Sequence, residues 1–143
     1  MKILVAARVG SQYAIDAVVV FPWPQGSEIH VLSVAEFVQP LVVGTMPEVI
    51  DATEVQAQVD ADAQDSAESS ASQLRSRGFS AKGFSMEGDP ETAILDHAQG
   101  WGADLIVVGS HERSRLSKLL TGSVSENIVK HAKCSVLVLR QGE

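Results

Sequence analysis

The chain has 143 residues and a net charge of −7, from 11 Lys and Arg against 18 Asp and Glu. This length suits one ordinary globular domain, so we expect a single domain over residues 1–143. An acidic chain without a concentrated basic face is not expected to bind DNA or RNA, because such binding requires the neutralisation of many phosphates.

Five short apolar segments predict buried parallel strands, because strands covered on both faces are apolar at successive positions. In chain order they are residues 3–7, 29–34, 80–86, 105–108 and 136–139, of which 80–86 fits the pattern least closely. Helical segments lie between them, at residues 11–20, 51–77, 89–100 and 123–132. The alternation of strand and helix predicts an α/β sheet with right-handed crossovers.

Two helix starts carry recognisable capping chemistry. Asp89 followed by Pro90 predicts an N-cap with proline at the first helical position, where its missing N–H costs nothing. Ser123 and Glu126 have the spacing of a capping box, in which the hydroxyl and the carboxylate each satisfy a backbone amide. That capping role alone explains Ser123 without a ligand.

Residues 51–77 are rich in Ala, Ser, Asp and Gln, and they predict a helix with a thin apolar stripe and a solvated acidic face. The stripe consists of Val55, Val59, Ala63, Ala67, Ser70 and Leu74. The preceding segment, residues 36–48, predicts a long loop of the kind that serves as a lid or contact surface.

Ligands of an open parallel sheet bind beyond the carboxyl ends of the strands, where the winding reverses. The loops expected there are residues 7–11 and 109–123. The second runs from Gly109 through a cationic stretch to Gly122 and Ser123, where a helix begins. Free amide groups and the positive end of a helix dipole suit such a loop to phosphate.

Several stretches of the sequence resemble the universal stress protein family and together cover nearly the whole chain. They are KILVA at residues 2–6, HVLSV at 30–34, Gly88-Asp89-Pro90 with Ile94, and much of 107–138, including TGSVSENIV at 121–129. The resemblance implies a doubly wound, five-stranded parallel sheet of order 3-2-1-4-5 with helices on both faces, Rossmann-like and of the adenine-nucleotide alpha hydrolase type. It also implies a homodimer through the last strand, from Val136 to Leu139, whose apolar edge is suited to pairing.

Many members of this family bind ATP or another adenine nucleotide through the pattern G-x-x-G-x9-G-[S/T]. The sequence matches it at Gly109 and at Gly122 with Ser123, but Glu112 replaces the second glycine. By this resemblance we expect ATP or AMP as the cofactor, with Mg²⁺ only together with ATP. The implied nucleotide-binding residues are Ala7, Arg8, Val34, Gly109, His111, Arg113, Gly122, Ser123 and Val124.

Two positions depart from the family pattern, and we expect them to pair across the pocket mouth. Arg8 stands where nucleotide-binding relatives carry an acid, and Glu112 stands where they carry glycine. A carboxylate about 5 Å from a phosphate costs roughly 3 kcal/mol at an effective dielectric near 20. Either the pair closes the pocket, giving a member that binds no nucleotide, or Arg8 neutralises Glu112 and contacts a phosphate itself. The sequence leaves both alternatives open.

Location and catalysis also follow from the residue pattern. No apolar run approaches the roughly 18 residues needed to span a membrane, and Cys134 is the sole cysteine, which suits a reducing compartment. Efficient hydrolysis requires a positioned base and Mg²⁺ ligands, whereas the pocket loops offer only Glu112 and His111. We therefore expect a small cytoplasmic stress-response dimer that acts through binding and an unknown protein partner, with no catalytic residues, no resident metal and slow ATP hydrolysis at most.

Two other classes of α/β protein fit the sequence less well. A phosphoacceptor receiver domain needs paired acids after the first strand, and a flavodoxin-like electron carrier needs a phosphate loop rich in Ser, Thr and Gly there. The residues at this place are Arg8, Val9, Gly10 and Ser11, which match neither requirement.

Overall fold

The computed structural model describes residues 1–7, 12–38, 52–110 and 124–140. Strands and helices alternate within these ranges, and no helix in them is long and apolar enough to cross a membrane. The elements are β1 (Lys2–Ala6), α1 (Gln12–Val20), β2 (Glu28–Ala35), α2 (Ala52–Ser76), β3 (Ser80–Glu87), α3 (Pro90–Trp101), β4 (Leu105–Ser110), α4 (Val124–His131) and β5 (Ser135–Arg140).

All five strands form one parallel sheet in the order β3-β2-β1-β4-β5. In the register, Ile3 of β1 lies between Ile29 of β2 and Leu105 of β4. The winding therefore proceeds outwards in both directions from the β1–β4 pair, which creates a crevice at the carboxyl ends of these strands. The expected doubly wound sheet of order 3-2-1-4-5 is confirmed.

Helices cover both faces of the sheet, because side chains along each strand alternate between the faces. Ile3 of β1 is fully buried in the layer beneath α1 and α2, together with Ile15 and Leu74. Leu4 is fully buried in the opposite layer beneath α3 and α4, together with Ile128. Two apolar layers thus hold the central strands rigid and fix where their carboxyl ends point.

The start of α3 follows the predicted capping chemistry. The Asp89 carboxylate accepts hydrogen bonds from the Thr92 backbone N–H at 3.0 Å and from the Thr92 hydroxyl at 2.9 Å. Gly102 ends the helix in the left-handed region with φ of 77°, and its N–H donates to the Ala98 carbonyl. The capping box predicted at Ser123 lies outside the described residues.

Small residues on α2 let this helix lie directly against β3. Ala63, Ala67 and Leu74 are buried, as the predicted stripe requires, whereas Val55 is exposed, so the stripe faces the core only from Ala63 onward. A Cβ added at Gly83 of β3 would lie 2.6 Å from the Ala67 carbonyl oxygen. Only glycine permits this approach between backbones.

Candidate functional site

A cleft lies at the carboxyl ends of β1 and β2, beside the point where the winding reverses. Its volume is about 360 Å³, at the lower end of the range for small-molecule sites. It is lined by Ala6, Ala7, Leu32, Val34, Glu36, Val59, Pro90, Ile94 and Val124.

The walls of the cleft come from the sheet and from three helices. The ends of β1 and β2 form an apolar floor, α2 contributes Val59, and α3 and α4 begin at the cleft with Pro90 and Val124. Among the described lining residues, Glu36 carries the only formal charge. The described part of the cleft therefore suits a flat apolar group with hydrogen-bond donors near one carboxylate.

The backbone of β2 is open to the cleft at Val34. β1 ends at Ala6, opposite Leu32, whereas β2 continues beside β3 to Ala35. The last link to the first strand joins the Ala7 N–H to the Leu32 carbonyl at 3.1 Å. Peptide groups of alternate residues face the same neighbouring strand. Those of Leu32 face β1, so those of Val34 face the same side, where β1 has already ended.

A glutamine on α2 holds the segment that follows β2. The Gln56 carbonyl oxygen accepts a hydrogen bond from the Val38 N–H at 2.8 Å, and the Gln56 amide donates to the Glu36 carbonyl at 3.2 Å. The same amide donates to the Asp60 carboxylate at 2.9 Å, one helical turn away. The sequence gives no sign of this role beyond the i,i+4 spacing of Gln56 and Asp60.

The Asp60 carboxyl group also forms a hydrogen bond with the carboxyl group of Glu87, the last residue of β3. A side-chain hydrogen bond with Glu87 lowers the pKa of Asp60, and the same bond raises the pKa of Glu87. One proton shared between the two carboxyls accounts for the opposite directions. The pair adds acidic character to α2 close to Gln56, and anionic groups of a ligand are expected to avoid this side.

Three of the residues named from the sequence line the cleft together. Ala7 is buried, Val34 is half-buried and Val124 is exposed at the start of α4. The Ser33 hydroxyl donates to the Ala7 carbonyl at 3.3 Å and supports the end of β1 from within the core. Gly109 lies in β4 and is not among the lining residues, but a Cβ there would overlap the Tyr13 hydroxyl.

The other predicted site residues lie outside the described residues. They are Arg8, His111, Arg113, Gly122 and Ser123. Glu112 also lies outside, so its pairing with Arg8 stays a prediction, as does the long loop at residues 39–48. The described part of the site includes Val34, whose backbone the family resemblance places against the adenine base.

An aromatic cluster at the opposite end of β2 did not emerge from the sequence. The His30 ring stacks on Trp101 with centroids 3.5 Å apart and planes at 10°, and its Nδ1 lies 3.0 Å from Nε2 of His97. Burial, followed by the charge of His97, lowers the pKa of His30 to about 4. In the described part of the chain no group of three or more His, Cys, Asp or Glu could hold a metal ion.

Comparison with known proteins identifies relatives along the chain. The family model for the universal stress protein family matches residues 1–140. Stress response protein NhaX of Bacillus subtilis is 44% identical over 55 residues, which are 38% of this chain and 33% of that protein. Universal stress protein MJ0577 of Methanocaldococcus jannaschii is 36% identical over 69 residues, or 48% and 43% of the two chains. The matched segments thus span less than half the length of these relatives.

Solved structures share the fold over almost the full length. The structure of MJ0577 has a TM-score of 0.77 at 25% identity and covers 99% of this chain and 96% of that chain. A family protein from Arabidopsis thaliana with AMP bound has a TM-score of 0.71 at 20% identity, covering 99% and 92%. A universal stress protein in complex with cAMP has a TM-score of 0.71 at 18% identity, covering 99% and 98%. At 20% and 18% identity the latter two are evidence for the fold alone. Because the family model extends over residues 1–140, this chain belongs to the universal stress protein family.

Proposed function

We propose that the protein binds an adenine nucleotide, AMP or ATP, in the cleft at the ends of β1 and β2. The observation that carries the proposal is that Ala7, Val34 and Val124, named from the sequence resemblance, line one cleft of about 360 Å³. Structures of the same fold contain AMP in the plant protein and cAMP in another family member, which supports the same ligand class.

The base occupies the apolar floor of the cleft. Adenine presents a donor and an acceptor on one edge, and the open backbone edge at Val34 offers an N–H and a carbonyl to pair with them. Leu32 below and Ile94 from α3 supply apolar contacts to the ring faces. The phosphates point away from Glu36, because a carboxylate near a phosphate is repulsive.

The phosphates are held by the loop that precedes α4. In this proposal His111, Arg113, Gly122 and Ser123 contact them, as the family pattern implies, and Mg²⁺ is present only with ATP. The start of α4 adds the favourable end of a helix dipole. In the competing version, Arg8 and Glu112 close the pocket and no nucleotide binds. A measurement of binding decides between the two versions.

The protein acts through binding and an unknown protein partner, as a stress-response homodimer with slow ATP hydrolysis at most. β5 forms one edge of the sheet, and Val136 and Val138 on it are half-buried in the single chain. Apolar edge strands promote pairing with a second copy. Cys134 as the only cysteine suits action in the reducing cytoplasm.

Calorimetric titration with AMP and with ATP, with and without Mg²⁺, tests the proposal. Wild-type protein is expected to bind with a dissociation constant on the order of micromolar, about −8 kcal/mol. Val124→Trp fills the cleft and is expected to abolish binding. Val129→Trp is the matched control, because Val129 is 53% exposed on the same helix and does not line the cleft.

Absence of binding at millimolar nucleotide would contradict the proposal. The double variant Arg8→Asp with Glu112→Gly then separates the alternatives, since regained binding identifies a member whose pocket is closed by that pair. Binding that survives Val124→Trp would place the nucleotide elsewhere on the protein.

A further inference from the structure

A hydrogen bond between two histidine rings joins β2 to α3. Nδ1 of His30 on β2 lies 3.0 Å from Nε2 of His97 on α3. Such a bond forms only while one of the two nitrogens carries a proton and the other carries a lone pair. Two charged imidazoles carry a proton on both nitrogens, so the bond is lost when both rings are protonated.

Aromatic side chains hold this pair in place. The rings of His30 and Trp101 stack with their centroids 3.5 Å apart. The ring centroid of Phe84 on β3 lies 4.4 Å from that of His30 and 4.9 Å from that of His97. Lys2 of β1 donates from Nζ to the Trp101 carbonyl at 3.2 Å, and this Nζ lies 5.6 Å from the centre of the indole. One cluster thus fixes the end of α3 to three strands.

The charges around the pair oppose its protonation. Among the described residues, the cations that act on His30 are Lys2 of β1 and Lys82 of β3. Glu28 of β2 offsets them in part. Burial, followed by the charge of His97, lowers the pKa of His30 to about 4, and burial also lowers the pKa of His97. A proton therefore favours an arrangement of α3 in which the two rings are exposed to water.

The same helix supplies a wall of the cleft. Ile94 is buried and lines the cleft, and Pro90 lines it at the start of α3. Residues three apart on a helix lie on the same face, so Ile94 and His97 both face the sheet. A movement of the helix as a unit that separates His97 from His30 therefore also displaces Ile94 from the cleft.

We propose that the His30–His97 pair is a proton-operated latch, which holds α3 against β2 while it is neutral and which on protonation loosens the helix and withdraws one wall of the cleft. In the loosened helix the rings have the ordinary histidine pKa of 6.5, whereas His30 in the latched protein binds a proton only near pH 4. The loosened state therefore takes up protons between these values and gains population as the pH falls. The loosening of α3 stands apart from the proposed function, whereas its effect on ligand binding rests on it.

Hydrogen exchange of backbone amides, at about pH 7.5 and at about pH 5, tests the latch. The opening constants of the amides at residues 96–101, corrected for the direct effect of pH on exchange, are expected to rise about tenfold at the lower pH, which is the equivalent of one pKa unit at one ring. They are also expected to exceed those of β1, the central strand, whose amides report global unfolding.

Variants of the pair test whether the two histidines cause the rise. His30→Phe combined with His97→Leu keeps an apolar contact between β2 and α3 and is expected to abolish it. His97→Gln retains a donor for Nδ1 of His30 and removes one titrating ring, so the rise is expected to fall to about threefold. A full rise in these variants would overturn the latch, and so would a helix α3 that opens only together with β1.

His131→Gln is the matched control. His131 is exposed at the end of α4, outside the cluster, and its Nδ1 lies 3.2 Å from a carboxylate oxygen of Glu91 on α3. Protonation strengthens this contact, so acid acts on it in the direction opposite to the latch. The rise at residues 96–101 is expected to persist in this variant, and its loss would assign the pH dependence to His131 and overturn the inference.

AMP at about ten times its dissociation constant tests the link between the latch and the cleft. If the loosened helix does not hold the nucleotide, AMP is expected to lower the opening constants at residues 96–101 by about tenfold. By reciprocity, protonation of the pair then weakens AMP binding. Opening that bound AMP leaves unchanged would overturn the link and leave the proposed function standing. If no nucleotide binds, the proposed function and the link fail together, whereas exchange without ligand still decides whether the latch exists.

Discussion

Replacing Gly109 by alanine tests why glycine stands at the end of β4. A Cβ on Gly109 would lie 2.6 Å from Cζ of Tyr13 and 3.2 Å from its Cε2, and it would overlap the hydroxyl oxygen. The backbone of Gly109 does not have a positive φ, so alanine itself is compatible with the local conformation. Any cost of Gly109→Ala must therefore arise from the tyrosine on α1.

The magnitude follows from opposing effects. Tyr13 must withdraw by roughly 1 Å or more from a half-buried site, and overpacking of this kind costs about 1–3 kcal/mol. Replacing glycine within a strand recovers about 0.5–1 kcal/mol of backbone entropy. We expect the free energy of unfolding to fall by about 1–2 kcal/mol, which corresponds to a decrease in Tm of roughly 3–8 °C for a chain of this size.

Urea unfolding of a double-mutant cycle measures the effect and its cause. In a Tyr13→Ala background the space is open, so Gly109→Ala is expected to be neutral or slightly stabilising, with a coupling energy of at least about 1 kcal/mol. Equal costs in the two backgrounds would refute the steric explanation. Loss of AMP binding by Gly109→Ala without any loss of stability would instead assign the glycine to the ligand.

Three further predictions concern other parts of the fold. Gly83→Ala is expected to lower the free energy of unfolding by at least about 2 kcal/mol, because its Cβ would lie 2.6 Å from a backbone carbonyl oxygen of α2. Gly100→Ala is its control: nothing lies within 4 Å of the added Cβ, so the free energy of unfolding is expected to rise by about 0.5–1 kcal/mol through helix propensity. Opposite signs should appear in urea titrations, and two equal costs would contradict the packing of α2 on β3. As pH falls, the unfolded chain protonates His30 near the ordinary histidine pKa of 6.5, while burial holds its pKa in the folded protein at about 4. Stability is therefore full above pH 6.5 and declines towards pH 4. Partial exposure limits this decline to about 1–2 kcal/mol. His30→Phe is expected to reduce the decline without abolishing it, because burial also lowers the pKa of the neighbouring His97; an unchanged pH profile in that variant would be evidence against the cluster. Val138→Lys is expected to convert the proposed dimer to a monomer in sedimentation at tens of micromolar, and an unchanged mass would exclude pairing through β5.

The regular elements were predictable because they depend on local pattern. The predicted strand at residues 29–34 corresponds to β2, Glu28–Ala35, and the helix expected at 89–100 corresponds to α3, Pro90–Trp101. Continuous apolar runs and the Asp89 cap identify these elements without reference to the rest of the chain. The strand order came from the family resemblance, since local pattern contains no information about which strands are neighbours.

Long-range contacts escaped prediction because they join residues far apart in sequence. His30 and His97 are 67 positions apart, and the contact of Gly109 with Tyr13 likewise joins distant elements. Val55 shows the opposite failure, since its helical spacing matched the stripe but its side chain is exposed. Periodicity indicates which face of a helix is apolar, whereas the extent of the sheet beneath it decides where burial stops.

The helix α3 runs from the cleft at one end of the sheet to the aromatic cluster at the other end. Its first turns line the cleft with Pro90 and Ile94, and its last residue, Trp101, stacks on His30. Pro90 and Trp101 are eleven positions apart in this helix, a distance of about 16 Å along the axis. Since the chain has only two tryptophans, the substitution Trp23→Phe would leave Trp101 as the one tryptophan, on the helix whose first turns line the cleft. In that variant, a tilt of α3 at its cleft end is expected to change the fluorescence of Trp101 at the opposite end of the helix.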